Sequence, residues 1–263
     1  MSSVASISKH AVQIVAAPDF VYEPPAKAHR ARRILIKPNL GYPSPPPITV
    51  GMPVLSAVIA GIRRVNPEAE IVIVEGVCHS QSAQVIARKL GVFNLLDEGI
   101  QFLDADTLPL KTYRNAASIH QRFSEMWAPA ILEEVDCRIS VSALKKTVLK
   151  EQVLMSCAIK NLYGLFPRSK YKARSPNSRG QLHRPDVHRI ICDVYYTLGI
   201  LFDGAVVDGT QVFISKDWQP DVGQAKPFGK VIWGESLLAV DEAACTEAGE
   251  GMPAYLDWIA QSL

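Results

Sequence analysis

The run Arg33-Ile-Leu-Ile-Lys-Pro-Asn39, followed at 70–75 by Glu-Ile-Val-Ile-Val-Glu, decides how this chain folds. Both runs are continuous apolar and β-branched stretches, which is typical of strands buried on two faces. Between them, four prolines in residues 41–47 stop the first strand, and residues 53–65 carry an apolar stripe at helical spacing. Strand, helix and strand in this order predict a right-handed βαβ unit with parallel strands.

The same alternation continues along the chain. A further helix should end at Leu90, before Gly91, with Ser80 or Ser82 as its N-cap. Further strands are predicted at 100–103, 137–142, 201–207 and 230–233, and further helices at 129–135, 153–162, 185–198, 240–248 and 254–262. We therefore predict an α/β fold with a mostly parallel sheet flanked by helices, forming a single domain over residues 1–263 with its core at about 10–250.

The composition fits one large globular domain. The 263 residues are 48% hydrophobic and 21% charged, which is enough apolar material for a substantial core. No apolar stretch reaches the roughly 18 uncharged residues that a membrane span needs. The apolar run near the N-terminus stops at Pro18 and is too short for a secretory signal. We expect a cytoplasmic protein without a membrane partner.

The cysteines predict no metal centre. Five of them are scattered along the chain without a C-x-x-C pair, namely Cys78, Cys137, Cys157, Cys192 and Cys245. This spacing argues against a ferredoxin-type iron–sulfur motif and against a zinc ribbon. The thiols are expected to be reduced and mostly buried, and the sequence identifies no cofactor.

Positive charge is concentrated in one segment, although the net charge of the chain is only +2. Between Lys145 and Arg189 there are eleven Lys and Arg residues against two acidic residues, a net of +9. A basic segment within an otherwise acidic chain attracts anions. Residues 168–184 are polar, basic and rich in turn formers, and they predict a mobile, exposed basic loop.

Polar side chains follow several of the predicted strands at their carboxyl ends. Lys37 and Asn39 end the first strand, His79 follows the second, Lys145 follows the strand that begins at Cys137, and Asp208 follows the strand at 201–207. Ligands of parallel sheets bind outside these strand ends. Strand ends are also where polar residues normally occur, but together these five predict a shared ligand site.

Three more residues in the basic segment are candidates for the same site. Lys160 and Asn161 lie in the last turn of the helix predicted at 153–162, where a lysine either favours the helix C-terminus or is held partly desolvated for an anion or a proton. His183 ends the basic loop and is either solvated or a proton-transfer group. No G-x-G-x-x-G, G-x-x-x-x-G-K-[ST] or G-x-S-x-G occurs, which argues against a standard dinucleotide fold, a P-loop NTPase and an α/β-hydrolase.

Four segments together resemble a known family. They are Ile34-Leu-Ile-Lys-Pro-Asn-Leu40, Ile139-Ser-Val-Ser-Ala-Leu-Lys145, Ala158-Ile-Lys-Asn-Leu-Tyr-Gly-Leu-Phe-Pro167 and Val206-Val-Asp-Gly209, which follow the order seen in the domain of unknown function 362 family and cover roughly residues 33–248. The layout is also, more faintly, similar to the N-terminal domain of the nickel-pincer lactate racemases. Family members often carry a ferredoxin-like iron–sulfur module, which this sequence is not expected to contain.

The resemblance implies a set of site residues. The family's polar positions match Lys37, Asn39, Lys145, Lys160, Asn161, His183, Asp208 and Asp241. One position departs from the pattern, because the family's Lys-x-His histidine falls on Thr147. Whatever that histidine does by proton transfer or metal binding, this chain does differently or not at all.

Two main functional hypotheses remain open. The first is an enzyme that binds a small anionic metabolite or a phosphorylated cofactor, with Lys37, Lys145 and Lys160 as cationic clamps and His183 or His79 exchanging protons. The second is a non-catalytic accessory protein, such as an electron-transfer or maturation partner without its own iron–sulfur module, which would act with a redox partner protein. The threonine in place of the family histidine favours the second.

A third hypothesis is nucleic-acid binding by the basic loop. Tyr163, Phe166 and Tyr171 interleave with its positive charges, as base stacking would need. The near-zero net charge and the lack of a known binding module argue against it.

Overall fold

The computed structural model describes residues 11–149, 152–216, 219 and 221–261. The strands are β1 (Gln13–Ala16), β2 (Arg33–Pro38), β3 (Glu70–Glu75), β4 (Ile100–Asp104), β5 (Leu110–Arg114), β6 (Glu125–Pro129), β7 (Cys137–Leu149), β8 (Gln152–Ser156), β9 (Gly204–Lys216) and β10 (Gly223–Gly234). The α-helices are α1 (Met52–Val65), α2 (Ala83–Leu90), α3 (Ala158–Asn161), α4 (Arg168–Tyr171), α5 (Val187–Thr197), α6 (Leu237–Glu247) and α7 (Ala254–Gln261).

A mixed sheet forms the centre of this single α/β domain. Its strand order is β1-β10-β9-β7-β2-β3-β4, and β8 pairs with β7 as a hairpin. The pairs from β9 through β7, β2 and β3 to β4 are parallel, whereas β1, β10 and β8 pair antiparallel with their neighbours. The predicted mostly parallel sheet with flanking helices is confirmed. Within the described residues, no helix has the length and apolar character needed to cross a membrane.

The two quoted runs fill the core from both sides of the sheet. Successive residues of a strand point to opposite faces, so Ile34 and Ile36 join the cluster under α1 and α2, while Leu35 joins the cluster under α5, α6 and α7. All three side chains are fully buried. Complete burial of such a side chain stabilises the fold by roughly 1.5–3 kcal/mol, which explains why continuous apolar runs mark the central strands.

The second helix begins and ends where the sequence indicates. The Ser82 hydroxyl accepts a hydrogen bond from the backbone N–H of Val85 at 3.4 Å, which confirms one of the two predicted N-caps. Gly91 ends the helix with φ of +89°, a left-handed conformation that favours glycine.

The prediction of a helix at 153–162 is wrong for the first half of that range. Residues 152–156 form β8, and α3 begins only at Ala158. The pairing of Lys145 with Ser156 joins β8 to an extension of β7 that runs beyond the predicted strand at 137–142. A short apolar run is compatible with a strand or a helix, and here the hydrogen bonds offered by the β7 edge select the strand.

The basic segment 168–184 contains more secondary structure and more ion pairs than the sequence indicates. It contains α4 and a short 3-10 helix at Gly180–His183, and Arg179 is only 2% exposed. Both Arg168 and Arg179 form ion pairs with Asp106. The predicted exposure is therefore wrong at Arg179, while the mobility of the segment stays a prediction.

Candidate functional site

A buried ion pair forms the base of the site, where β2 and β3 end side by side. The Lys37 ammonium lies 2.7 Å from Glu75 Oε1, and both side chains are at most 2% exposed. Glu75 also accepts backbone N–H bonds from Leu40 at 2.6 Å and Gly76 at 2.8 Å. Burial lowers the pKa of Lys37, and the Glu75 carboxylate opposes that effect. Lys37 was predicted as an anion clamp, but its charge is already paired with a carboxylate.

Close approach of the chain at Gly164 covers this ion pair. A Cβ atom there would lie 2.7 Å from Lys37 Nζ and closer still to Glu75 Oε1. Only a residue without a side chain fits without displacing the pair, which accounts for a glycine after the Lys-Asn-Leu-Tyr segment.

Two asparagines connect the buried pair to the outer part of the site. The Asn161 side-chain oxygen accepts hydrogen bonds from Lys37 Nζ and Asn39 Nδ2, each at 3.3 Å. The Asn161 amide nitrogen donates to the Lys37 carbonyl at 2.9 Å and to Ser140 Oγ at 3.1 Å. Asn39 in turn accepts from Lys145 Nζ at 2.9 Å. These bonds fix the orientation of both amides, since each has its oxygen on a cationic or amide donor.

Above the asparagines lies a small cavity of about 80 Å³ that is partly open to solvent. Most of its wall is polar, with hydroxyl groups from β7, β8 and β9. Its lining residues are Asn39, Ser142, Ala143, Lys145, Thr147, Ser156, Cys157, Lys160, Asn161 and Ser215. Four of the predicted site residues, namely Asn39, Lys145, Lys160 and Asn161, are therefore brought together.

Two lysines supply the positive charge of the cavity. Burial lowers the pKa of Lys145 and of Lys160 to about 8 each, and the Lys160 charge lowers that of Lys145 further. Lys145 Nζ donates to Asn39 Oδ1 at 2.9 Å and to the Ile48 carbonyl at 3.2 Å. Lys160 Nζ lies 4.8 Å from the centre of the Tyr163 ring. Within the described part of the chain, no carboxylate lies within 4.0 Å of either ammonium.

His183 is adjacent to this charge but is held neutral. Burial is the main cause that lowers its pKa to about 3, and the positive charge of Lys160 lowers it further. The ring packs edge-to-face on Tyr163 at 5.4 Å, and its Nδ1 lies 3.4 Å from the Arg179 carbonyl. With such a pKa, His183 is a poor proton acceptor at neutral pH.

Two further predicted residues lie apart from the cavity lining. His79 Nδ1 accepts from the backbone N–H of Gln81 at 3.1 Å. The Asp208 carboxylate accepts the Gly51 N–H at 2.8 Å and both the N–H and the hydroxyl of Thr210. These bonds stabilise loops at the strand ends, and the ligand-binding role predicted for His79 and Asp208 stays a prediction.

Thr147, which occupies the position of the family histidine, lies in the cavity wall. Its hydroxyl is 2.8 Å from that of Ser215, its partner in the register between β7 and β9. Neither hydroxyl titrates near neutral pH, so this wall offers neutral hydrogen bonds instead of an imidazole.

A buried carboxylate, Asp241, holds the lysine-bearing helix α3 in place. Asp241 is fully buried and accepts the backbone N–H groups of Ala158 at 2.7 Å and Ile159 at 3.1 Å, with the Tyr255 hydroxyl at 3.4 Å. Burial raises the pKa of Asp241 to about 7. The family resemblance pointed to Asp241, but its role in positioning α3, which carries Lys160, could not be predicted from the sequence.

Arg179 has a structural role that the sequence does not predict. Its guanidinium donates to the carbonyls of Phe166, Val77 at 3.0 Å and Gly164 at 3.2 Å, and it lies 3.4 Å from Cys78 Sγ. It therefore fixes the backbone around the ion pair. Among the described residues, no group of three or more His, Cys, Asp and Glu side chains is arranged to hold a metal ion. The predicted absence of a structural metal stays a prediction for analysis of the purified protein.

Comparison with known proteins supports the family resemblance. The family model described as "Domain of unknown function (DUF362)" matches residues 34–246. The structure of the lactate racemase apoprotein from Thermoanaerobacterium thermosaccharolyticum is similar, with a TM-score of 0.50 and 14% identity over 84% of this chain and 49% of that chain. This chain thus spans about half the length of that protein, and at such identity the likeness shows the fold alone. Among curated proteins, none matches the sequence significantly.

Proposed function

We propose, from the premise that this chain belongs to the DUF362 family, that it binds a small anion between Lys145 and Lys160 and exchanges a proton with it through Lys145. A carboxylate or phosphate group is the chemical class that this site fits. The observation that carries the proposal is the convergence of two ammonium groups on one cavity, with no carboxylate beside either among the described residues.

An anion would relieve the electrostatic cost of this arrangement. Burial is the main cause of the lowered pKa of Lys145, and the like charge of Lys160 in the same cavity adds to it. Hydrogen bonds between a charged donor and an anion are each worth about 1.5–3 kcal/mol. The other cations nearby do not compete, since Lys37 is paired with Glu75 and Lys146 with Glu250.

The volume of the cavity and the polar groups in its wall limit which anions can bind. A volume of about 80 Å³ corresponds to roughly two to three water molecules, which is suited to an acidic group and a short carbon chain. The hydroxyls of Ser142, Thr147, Ser156 and Ser215 line the same space. They can donate or accept, so they would orient an anion that also carries hydroxyl or carbonyl groups.

Proton exchange follows from the same lysine. A pKa of about 8 keeps Lys145 near the balance between ammonium and amine at physiological pH, which is the range in which a general acid–base group works best. His183, with a pKa of about 3, is less suited to that task than the sequence indicated.

Calorimetric titration with inorganic phosphate and with acetate at pH near 7 tests the binding. Lys145→Met and Lys160→Met should each weaken phosphate binding by about 10- to 100-fold, because each removes a charge-assisted bond. Lys146→Met is the matched control, since Lys146 is the neighbouring residue on β7 and pairs with Glu250 at 2.6 Å. Unchanged affinity in both cavity variants would contradict the proposal.

A second measurement tests the proton exchange. Phosphate bound beside Lys145 should raise its pKa, so the complex should take up protons near pH 8, and buffers of different ionisation enthalpy measure that uptake. Binding without proton uptake would instead favour the non-catalytic accessory hypothesis, which the neutral Thr147–Ser215 hydroxyl pair supports.

A further inference from the structure

We propose that Lys145 forms an imine with a small carbonyl compound whose acidic group is bound by Lys160. The substrate class is an aldehyde or ketone that carries a carboxylate or phosphate within two or three carbons. This inference rests on the proposed anion site and adds to it a covalent step at one named nitrogen.

The number of protein acceptors around Lys145 leaves room for a neutral amine. A neutral amine has two N–H donors and one lone pair, whereas an ammonium has three donors and no lone pair. Lys145 Nζ has two protein acceptors among the described residues, Asn39 Oδ1 at 2.9 Å and the Ile48 carbonyl at 3.2 Å. With both N–H groups used in this way, the lone pair is left for the contents of the cavity that Lys145 lines.

Lys160 has a similarly lowered pKa of about 8, but its contact with an aromatic ring suits the role of the cation. Its ammonium lies over the Tyr163 ring at 4.8 Å, an arrangement that stabilises a charged amine. Its charge also disfavours protonation of Lys145. A desolvated lysine beside a second cationic group is an established way to obtain a nucleophilic amine at neutral pH.

The step balances without any further reagent. The Lys145 lone pair forms a bond to the carbonyl carbon, and the carbonyl π electrons move to the oxygen, which takes the proton lost by nitrogen. The nitrogen then gives its remaining proton to this hydroxyl, which leaves as one molecule of water while the electron pair on nitrogen completes the C=N bond. Neither oxidation nor reduction occurs. The Thr147 hydroxyl lines the same cavity and can donate to the developing oxygen anion.

Glyoxylate with sodium cyanoborohydride is the test, because reduction converts the imine into a stable carboxymethyl-lysine. Near pH 8 an amine with a pKa of about 8 is about half neutral, against about 1 part in 300 for a lysine at 10.5. Labelling of Lys145, mapped by peptide mass spectrometry, should therefore be at least about tenfold faster than labelling of exposed lysines. Inorganic phosphate should suppress it.

Two variants and one control make the result specific. Lys145→Arg keeps the charge and should retain phosphate binding while losing the fast adduct. Lys160→Met should keep a slower adduct that phosphate no longer suppresses. Lys146→Met should behave as the unmodified protein, since Lys146 is paired with Glu250 outside the cavity.

The failures of the two proposals are distinguishable. One outcome is that Lys145 is labelled no faster than exposed lysines, while calorimetry still shows binding of phosphate and glyoxylate. That outcome would overturn the imine and leave the anion site standing. Binding of neither anion would overturn both. Retained fast labelling in Lys145→Arg would place the reactive amine elsewhere and overturn the assignment.

Discussion

Glu75→Gln tests whether the buried ion pair under the cavity is essential to the fold. The substitution preserves the shape of the side chain but removes the negative charge that lies 2.7 Å from Lys37 Nζ. A glutamine also has one acceptor oxygen in place of two, so the N–H bonds from Leu40 and Gly76 cannot both be kept.

The expected loss in the free energy of unfolding is about 3–5 kcal/mol, the cost of leaving a buried charge without its partner. This loss of stability has an upper limit, because Lys37 can lose its proton and become neutral instead of remaining an unpaired charge. At pH 7, deprotonating a lysine of ordinary pKa costs about 1.4 kcal/mol for each of about 3.4 pH units, or roughly 5 kcal/mol. The loss should therefore shrink as the pH is raised towards 9, because the neutral amine becomes easier to form.

Urea unfolding at pH 7 and 9, followed by tryptophan fluorescence and by circular dichroism, measures these changes. The double variant Lys37→Met/Glu75→Gln should be more stable than Glu75→Gln alone, since no unpaired charge remains. The exposed pair Lys111–Glu133, with side chains 48% and 52% exposed, is the control. Glu133→Gln should cost at most about 1 kcal/mol.

Two results would refute this reasoning. One is a loss for Glu75→Gln that is no larger than the loss for Glu133→Gln. The other is a double variant whose loss equals the sum of the two single losses, which would mean that Lys37 and Glu75 do not interact energetically.

Three further predictions concern the surroundings of the site. Gly164→Ala should lower the stability by roughly 1–3 kcal/mol in thermal unfolding, whereas Gly41→Ala, with open space around its Cβ position, should not; equal effects would contradict the close approach. Because burial raises the pKa of Asp241 from 3.8 to about 7, the stability it contributes is complete below about pH 4 and is lost as the pH rises through 7. Asp241→Asn should therefore be more destabilising at pH 5 than at pH 8, by roughly 2.5 kcal/mol, and a pH-independent loss would speak against a titrating carboxyl. In hydrogen exchange, residues 172–178, between the anchored Arg168 and Arg179, should exchange fast and become protected by phosphate, whereas slow exchange without phosphate would contradict the predicted mobility.

The sequence was sufficient for the central fold because its signals are local. The runs that form β2 and β3 are apolar throughout, and only a sheet covered on both faces buries such strands. The convergence of Asn39 with Lys145 was likewise predictable, since β2 and β7 pair in parallel up to Pro38 and Val141 and both residues come just beyond that pairing.

The remainder depends on partners that are distant in the sequence. The strand β8 was missed because Val153 and Leu154 fit either a helix or a strand, and the edge of β7 decides between them. No local pattern shows that Lys37 is neutralised by Glu75 while Lys160 is not. The bond from Asp241 to the N–H of Ala158 spans 83 positions, so its effect on α3 could not be predicted.

The same distances determine when a ligand can influence folding. The hydrogen bond between Lys145 and Asn39 joins residues that are 106 positions apart in the sequence, and the bond between Lys37 and Asn161 joins residues that are 124 positions apart. Such long-range contacts carry a high entropic cost and form late. During synthesis, the residues of β2, β3 and β4 are translated before Lys145 and Lys160. An anion that binds between these lysines therefore cannot guide early folding, and its kinetic effect should be to slow unfolding of the finished domain while the rate of folding stays the same.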